Sequence, residues 1–150
     1  MVEKKYLPIF LNLNGKECLV IGGGKIAKRK IQTLIEYGAN ITVVSKVISD
    51  EIKSICSNYV EKEFEKSDIL LSPATTKYFF IVAATSSKET NLQIVEIAEK
   101  LNVLVNNITS KEEMNARFCT VLEIDGGVVG ISGKGNPTKA LEIKEKIKKI

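Results

Sequence analysis

The stretch from Cys18 to Ala27 constrains the fold of this chain more than any other. It reads Cys-Leu-Val-Ile-Gly-Gly-Gly-Lys-Ile-Ala, so a short apolar run leads into three glycines and then into a segment of helical periodicity. A predicted strand, a glycine turn and a helix in this order form the G-x-G-x-x-A pattern of dinucleotide-binding turns. Gly22 would permit the tight turn, and Gly24 would let a pyrophosphate approach the backbone. A purely structural glycine turn is the alternative.

Strand and helix signals alternate from residue 18 to about residue 106, which predicts parallel βαβ units and an α/β, Rossmann-like parallel sheet. The predicted strands cover residues 19–21, 41–44, 59–64, 78–83 and 103–105, and the predicted helices cover residues 26–37, 49–56 and 87–101. Ile31, Leu34 and Ile35 share the apolar face of the first helix with Ala27, and Gly38 is expected just past its end.

The pattern changes after residue 113. Two β-type runs, 118–124 and 128–131, flank Asp125-Gly126-Gly127, which predicts a hairpin. Asn136-Pro137 then begins a helix that is expected to reach Ile150. Because a hairpin and one amphipathic helix cannot bury their apolar faces alone, we expect two domains. These are a dinucleotide-binding Rossmann domain at 1–113 and a dimerisation arm at 114–150, here called the C-terminal arm, in a homodimer.

Composition excludes several classes of function. The 150 residues are 44% hydrophobic and 27% charged, as in ordinary globular proteins, and no apolar run approaches the ~20 residues of a membrane span. The first residues lack the apolar core of a signal peptide, so we expect a cytoplasmic protein with no membrane partner. The net charge of +4 includes lysines near the C-terminus that are typical of a solvated helix face, and no nucleic-acid partner is expected.

Acid–base and metal chemistry are limited by the residue types present. The chain has no histidine, which excludes histidine triads, histidine metal ligands and a histidine proton shuttle. Its three cysteines are widely separated and fit neither a disulfide framework nor a metal-site spacing, so no metal is expected. Proton transfer would therefore use carboxylates, lysine, tyrosine, cysteine or water.

The end of the second predicted strand bears on the choice of cofactor. NAD-binding folds usually place an acidic residue about 20 positions after the glycines, where it binds the ribose. Here the sequence is Ser45-Lys46-Val47, and no acid follows until Asp50. Ser45 could bind a ribose and Lys46 could tolerate a 2′-phosphate, so weak discrimination against NADP is expected. Ala84-Thr85 ends a later strand at the same predicted edge, where small residues admit a nicotinamide ribose or simply pack beneath a helix.

A set of motifs along nearly the whole chain resembles one family. The matching segments are Tyr-Leu-Pro-Ile-Phe at residues 6–10, Leu13, Cys-Leu-Val-Ile-Gly-Gly-Gly at 18–24, Ala-Lys-Arg-Lys at 27–30, Gly-Ala at 38–39, Ala-Ala-Thr at 83–85, Asn91, Asn106 and Ser-Gly-Lys-Gly-Asn-Pro at 132–137. Together they resemble precorrin-2 dehydrogenase, the N-terminal module of siroheme synthases.

The resemblance implies an NAD-dependent oxidation of precorrin-2 to sirohydrochlorin, and a dimer that exchanges its C-terminal arms. Some members of the family also insert iron or cobalt. The expected cofactor contacts are Gly22, Gly23, Gly24, Lys25, Ile26, Ala27, Ser45, Lys46, Val47, Ala84, Thr85 and Asn106. Candidate partners for the carboxylates of the anionic tetrapyrrole are Arg29, Lys30, Lys111, Arg117, Ser132 and Lys134, each of which is alternatively an ordinary surface residue.

One departure from the family pattern concerns catalysis. The family often has an aspartate shortly after the asparagine that closes the fifth strand, and here Thr109 or Ser110 falls at that position. Neither hydroxyl titrates near neutral pH. Glu112 and Glu113 are the nearest carboxylates, so these four residues are the catalytic candidates. We expect dehydrogenase activity without chelatase activity. A non-catalytic nucleotide-binding scaffold of the haem pathway and a bifunctional dehydrogenase–ferrochelatase remain the alternatives.

Overall fold

The computed structural model of the chain describes residues 3–150, which form two compact units. The first unit is Phe10–Asn115, and the second joins Ala116–Ile150 to the described N-terminal residues up to Ile9. The strands are β1 (Glu17–Ile21), β2 (Asn40–Ser45), β3 (Tyr59–Glu61), β4 (Phe80–Ala83), β5 (Leu104–Asn107), β6 (Thr120–Ile124) and β7 (Gly127–Ile131). The helices are α1 (Lys25–Glu36), α2 (Asp50–Ile55), α3 (Lys88–Lys100) and α4 (Pro137–Lys148), with a short 3-10 helix at Lys66–Asp68.

The first unit is a five-stranded parallel sheet in the order β3-β2-β1-β4-β5, which confirms the Rossmann-like α/β prediction. All four residues of β4 are buried, as are four of the five in β1, because strands at the centre of a parallel sheet are covered on both faces. After β1 the chain crosses to β2, toward one edge of the sheet. After β4 it crosses to β5, toward the opposite edge. Right-handed crossovers therefore place α1 and α3 on opposite faces. The order of the strands reverses between β1 and β4, and ligands of such sheets bind at that point.

Two details differ from the sequence predictions. The strand predicted at 59–64 ends at Glu61, because Lys62 turns to bond Asp68 (2.7 Å) and the N–H of Glu65 also donates to that carboxylate. These bonds end the ladder and lead into the 3-10 helix. Ile35, expected on the buried face of α1, is 39% exposed, whereas Ile31 and Leu34 are fully buried.

The second unit contains the antiparallel hairpin β6–β7 and helix α4. Asp125 and Gly126 both have positive φ, as a two-residue hairpin turn of this twist requires. The predicted start of α4 is confirmed, since the Asn136 side chain accepts from the N–H of Lys139 and proline occupies the first turn. A small apolar cluster of Leu122, Ile131 and Ala140 holds the unit together. Within residues 3–150, no helix has both the length and the apolar character needed to cross a membrane.

Candidate cofactor site

Gly22 joins the ends of three strands. Its N–H donates to the carbonyl oxygen of Val44 at the end of β2 (3.0 Å), and its φ of +140° lies where side chains are rarely tolerated. A Cβ added there would lie 2.1 Å from the carbonyl oxygen of Ala84, just beyond β4. The N–H of Ala84 in turn donates to Ile21 (2.8 Å). Gly22 therefore permits the tight turn and lets the ends of β1 and β4 meet.

Gly23 holds the loop that follows β2. A Cβ at this position would lie 2.0 Å from the carbonyl oxygen of Val47 and 3.0 Å from the Ser45 hydroxyl. Its carbonyl oxygen accepts from the N–H of Ser49 (3.3 Å), which is also the N-cap of α2. Gly23, between the two glycines of the motif, therefore serves packing within the protein, a role that the sequence pattern alone did not assign.

Gly24 is the open position of the motif. A Cβ added to it would meet no atom within 4 Å, and its backbone is extended, with φ −97° and ψ −164°. Gly24 caps α1 without a side-chain hydrogen bond, whereas α2, α3 and α4 are capped by Ser49, Ser87 and Asn136. The N–H groups in the first turn of a helix have no partner inside it, and the space beside Gly24 at this turn is open. The geometry fits a pyrophosphate approaching the backbone.

The charges on α1 also favour an anion. Its first turn contains no acidic residue, and Lys25, Lys28, Arg29 and Lys30 all lie in its first half. Cations near a helix N-terminus oppose the helix dipole, so this placement gains from a bound anion. Lys28 pairs with Glu51 on α2 (2.7 Å), while burial lowers the pKa of Lys30 below its ordinary value. Lys25 and Ile26 are exposed, and Ala27 is buried where it keeps α1 close to the sheet.

Two glutamates lie beside the predicted ribose end of the site. Ser45 is the last residue of β2 and pairs in register with Glu61, the last residue of β3. The carboxylate of Glu61 binds Lys53 (2.7 Å), and Lys46 reaches Glu63 (3.4 Å). Reasoning from the sequence missed both glutamates, because it searched the end of β2 for an acid and the acids are on the neighbouring strand and just after it. Val47 is largely exposed.

A hydrogen-bond network joins the ends of β4 and β5. The fully buried Asn91 of α3 accepts from the Thr85 N–H (3.1 Å) and hydroxyl (2.6 Å), and it donates to the Thr85 carbonyl oxygen. Its amide also donates to the hydroxyl of Thr109 (3.0 Å), which in turn donates to the Asn107 side-chain oxygen (2.9 Å). Thr85 and Thr109 are therefore brought together through one buried asparagine.

The remaining catalytic candidates follow β5 in a loop. The Ser110 hydroxyl accepts from the backbone N–H groups of Glu112 (3.1 Å) and Glu113 (3.0 Å), and both glutamate side chains are exposed. Asn106 is buried, with its amide nitrogen 3.3 Å from the Met114 sulfur. Its side chain therefore faces the protein interior at the edge where the cofactor was expected to touch it. Across residues 3–150, no group of three or more His, Cys, Asp or Glu side chains could hold a metal ion.

The six candidates for substrate binding are divided between the two units. Arg29, Lys30 and Lys111 belong to the first unit, with Arg29 and Lys111 exposed. Arg117, Ser132 and Lys134 belong to the second. There the Arg117 guanidinium stacks 3.9 Å from the ring centroid of Tyr6, and the Ser132 hydroxyl accepts from the Lys134 N–H (3.1 Å).

Comparisons with known proteins agree with this geometry. A family model described as NAD(P)-binding matches residues 9–120. The chain is 32% identical over 149 residues to the "Probable multifunctional siroheme biosynthesis protein HemA" of Ruminiclostridium josui, covering 95% of this chain and 28% of that protein. It is 32% identical over 151 residues to the siroheme synthase of Baumannia cicadellinicola, covering 97% of this chain and 31% of that one. It thus spans about three tenths of these curated relatives.

A solved structure named "SirC, precorrin-2 dehydrogenase" has the same fold, with a TM-score of 0.74 and 28% identity over 95% of this chain and 70% of that one. The resemblance found in the sequence motifs is therefore confirmed, and so is a nicotinamide dinucleotide as the cofactor class. The chain belongs to the NAD(P)-binding family of precorrin-2 dehydrogenases and siroheme synthases.

Proposed function

We propose that this chain binds NAD at the β1–α1 turn and oxidises precorrin-2 to sirohydrochlorin. The observation that carries the proposal is the open first turn of α1, where Gly24 provides no capping side chain. This turn lies where the strand order of an NAD(P)-binding fold reverses. The likeness to SirC, named a precorrin-2 dehydrogenase, supports the choice of substrate. The three cysteines are unpaired thiols, which agrees with a cytoplasmic location.

Each part of the site has a role in holding the cofactor. The N–H groups of Lys25, Ile26 and Ala27 would bind the pyrophosphate at the start of α1. The Ser45 hydroxyl would bind a ribose, and the close backbone at Ala84 would border the nicotinamide end. NAD supplies a hydride acceptor when bound. The substrate loses one hydride and one proton, so NADH and a proton are the products besides sirohydrochlorin.

The proton needs an acceptor other than Thr109. The hydroxyl of Thr109 donates to Asn107 and accepts from Asn91, and a hydroxyl does not titrate near neutral pH. We propose Glu112 or Glu113 as the acceptor, because both carboxylates are exposed on the same loop. Solvent is the alternative acceptor, and positioning of the cofactor and substrate then provides the catalysis.

We propose that the chain forms a homodimer. Leu7, Ile9 and Phe10 of the N-terminal segment, together with Val128 and Leu141 of the C-terminal arm, leave at least half of their area exposed in one chain. A second copy that covers these residues would remove apolar area from water. We propose that the cationic candidates of the first unit, Arg29, Lys30 and Lys111, bind carboxylates of precorrin-2.

One observation favours a second candidate, a nucleotide-binding scaffold without catalysis. Thr109 or Ser110 falls where the family often has a titratable aspartate, and the hydroxyl of Thr109 is held by neutral amides. Such a protein would keep the cofactor site and lose turnover.

Anaerobic incubation of the pure protein with precorrin-2 and NAD, followed by absorbance, separates these functions. Formation of sirohydrochlorin with an equal amount of NADH supports the dehydrogenase. Tight NAD binding with no turnover supports the scaffold. Gly24→Val, which alters only the proposed pyrophosphate site, is the matched control and should form no NADH.

A further inference from the structure

We propose that Glu61 and Glu63 make the site selective for NAD over NADP, replacing the acidic residue that the end of β2 lacks. The inference rests on the proposed function, because it concerns the same cofactor site. The segment Ser45-Lys46-Val47 led us to expect weak discrimination between NAD and NADP. That expectation considered only residues at the end of β2 itself, and the neighbouring strand changes it.

The topology brings these acids to the ribose end of the site. In dinucleotide-binding folds the adenosine ribose lies beyond the end of the second strand. β3 is the neighbour of β2 on the side away from β1, and the register places Glu61 directly beside Ser45. Glu63 follows two residues later and contacts Lys46. An acid at the end of β3 is therefore adjacent in space to the position where an acid on β2 would stand.

Glu61 is fixed in place and charged. Its carboxylate binds Lys53 at 2.7 Å and also interacts with the backbone N–H of Ile48, in the loop that packs on Gly23. The hydrogen bond from Lys53 is the main reason why the pKa of Glu61 lies below its ordinary value, so the group is ionised at neutral pH. Glu61 thus links the end of β3 to the loop that follows β2.

The charged side chains around the ends of β2 and β3 form two balanced ion pairs. Lys46 alone would favour NADP, but its ammonium pairs with Glu63 (3.4 Å), and Lys53 pairs with Glu61. The four charges sum to zero. A 2′-phosphate monoester carries about −1.5 to −2 charges at neutral pH, by analogy with phosphorylated side chains. It would be repelled by two carboxylates, whereas the ribose hydroxyl of NAD can donate to one.

The test is a comparison of dissociation constants for NAD and NADP, measured by calorimetric titration without substrate. The wild-type protein should bind NAD at least about tenfold more tightly than NADP. Glu63→Gln should narrow this ratio at least threefold, and Glu63→Lys should narrow it further, in both cases through tighter NADP binding. Glu96→Gln, the same change at an exposed site on α3, should leave the ratio unchanged. Raising the salt concentration should also narrow the wild-type ratio, because exposed charges are screened.

Two results would overturn the inference, and both differ from failure of the proposed function. Equal affinity of the wild type for both dinucleotides, or an unchanged ratio in Glu63→Lys, would show that these carboxylates do not discriminate while the site itself stands. Binding of neither dinucleotide would refute the site and, with it, the proposed function. The dissociation constants of Glu61→Gln should be compared together with its melting temperature. Glu61 also holds the loop after β2, so its replacement affects stability as well as charge.

Discussion

Replacing Gly24 by valine should abolish NAD binding and leave the fold intact. The backbone of Gly24 is extended, a conformation that any residue adopts, and a Cβ there meets no protein atom within 4 Å. Valine would therefore cause no clash, and its branched side chain would occupy the space assigned to the pyrophosphate. The neighbouring Gly23 offers a contrast, because its Cβ would lie 2.0 Å from the carbonyl oxygen of Val47.

The two substitutions should separate binding from stability. Glycine is better than valine at an N-cap, so Gly24→Val should cost about 1 kcal/mol, or roughly 2–4 °C in melting temperature for a chain of this size. The dissociation constant for NAD should rise at least a hundredfold, which is about 2.7 kcal/mol. Gly23→Ala should instead lose about 1–3 kcal/mol of stability or more, because the backbone of the β2 loop must move.

Calorimetric titration with NAD and thermal unfolding followed by circular dichroism measure both effects. Gly24→Ala provides a graded variant, with a smaller side chain and an intermediate loss of affinity. A folded Gly24→Val protein that binds NAD as tightly as the wild type would refute the assignment of the pyrophosphate to this turn.

Further predictions concern catalysis, metal insertion, assembly and the buried network. If Glu112 or Glu113 accepts the proton, its change to glutamine should lower turnover by ~10²-fold or more with NAD affinity unchanged; full activity in both variants would assign the proton to solvent. Incubation of sirohydrochlorin with ferrous or cobalt ions should give little or no metal insertion above the rate without protein, and efficient insertion would contradict the account based on Thr109. Sedimentation at micromolar concentration should show a homodimer that requires the C-terminal arm, and a monodisperse monomer would exclude it. Asn91→Ala should lower the free energy of unfolding by about 1–3 kcal/mol, because Thr85 and Thr109 lose their hydrogen-bond partner. Denaturant titration measures this, and an unchanged unfolding midpoint would show that water replaces the amide.

Local patterns predicted the part of the site that depends on consecutive residues. The strand, the three glycines and the start of α1 lie together in sequence, so the turn at Gly22 and the open position at Gly24 follow from their order. The positions of Ala84 and Thr85 at the same edge also followed, because the ends of adjacent parallel strands meet there. The cap of α4 at Asn136 is equally local.

Features that depend on pairing between distant segments were not predictable in this way. The register that sets Glu61 beside Ser45 joins residues from different strands, and no local signal identifies it. The alternating pattern after Tyr59 predicted too long a strand, because it does not show that Lys62 turns toward Asp68. Similarly, the sequence placed Thr109 or Ser110 at the position of the family's aspartate, but only the structure shows the Thr109 hydroxyl held by Asn91 and Asn107.

The most direct test of the central claim is a crystal structure of the protein with NAD bound. The account predicts the pyrophosphate against the first turn of α1, within hydrogen-bond distance of the N–H groups of Lys25 to Ala27 and passing over Gly24. It also predicts the adenosine ribose near Ser45 and the nicotinamide near Ala84. A dinucleotide bound elsewhere on the protein, or no bound dinucleotide at saturating NAD, would contradict it.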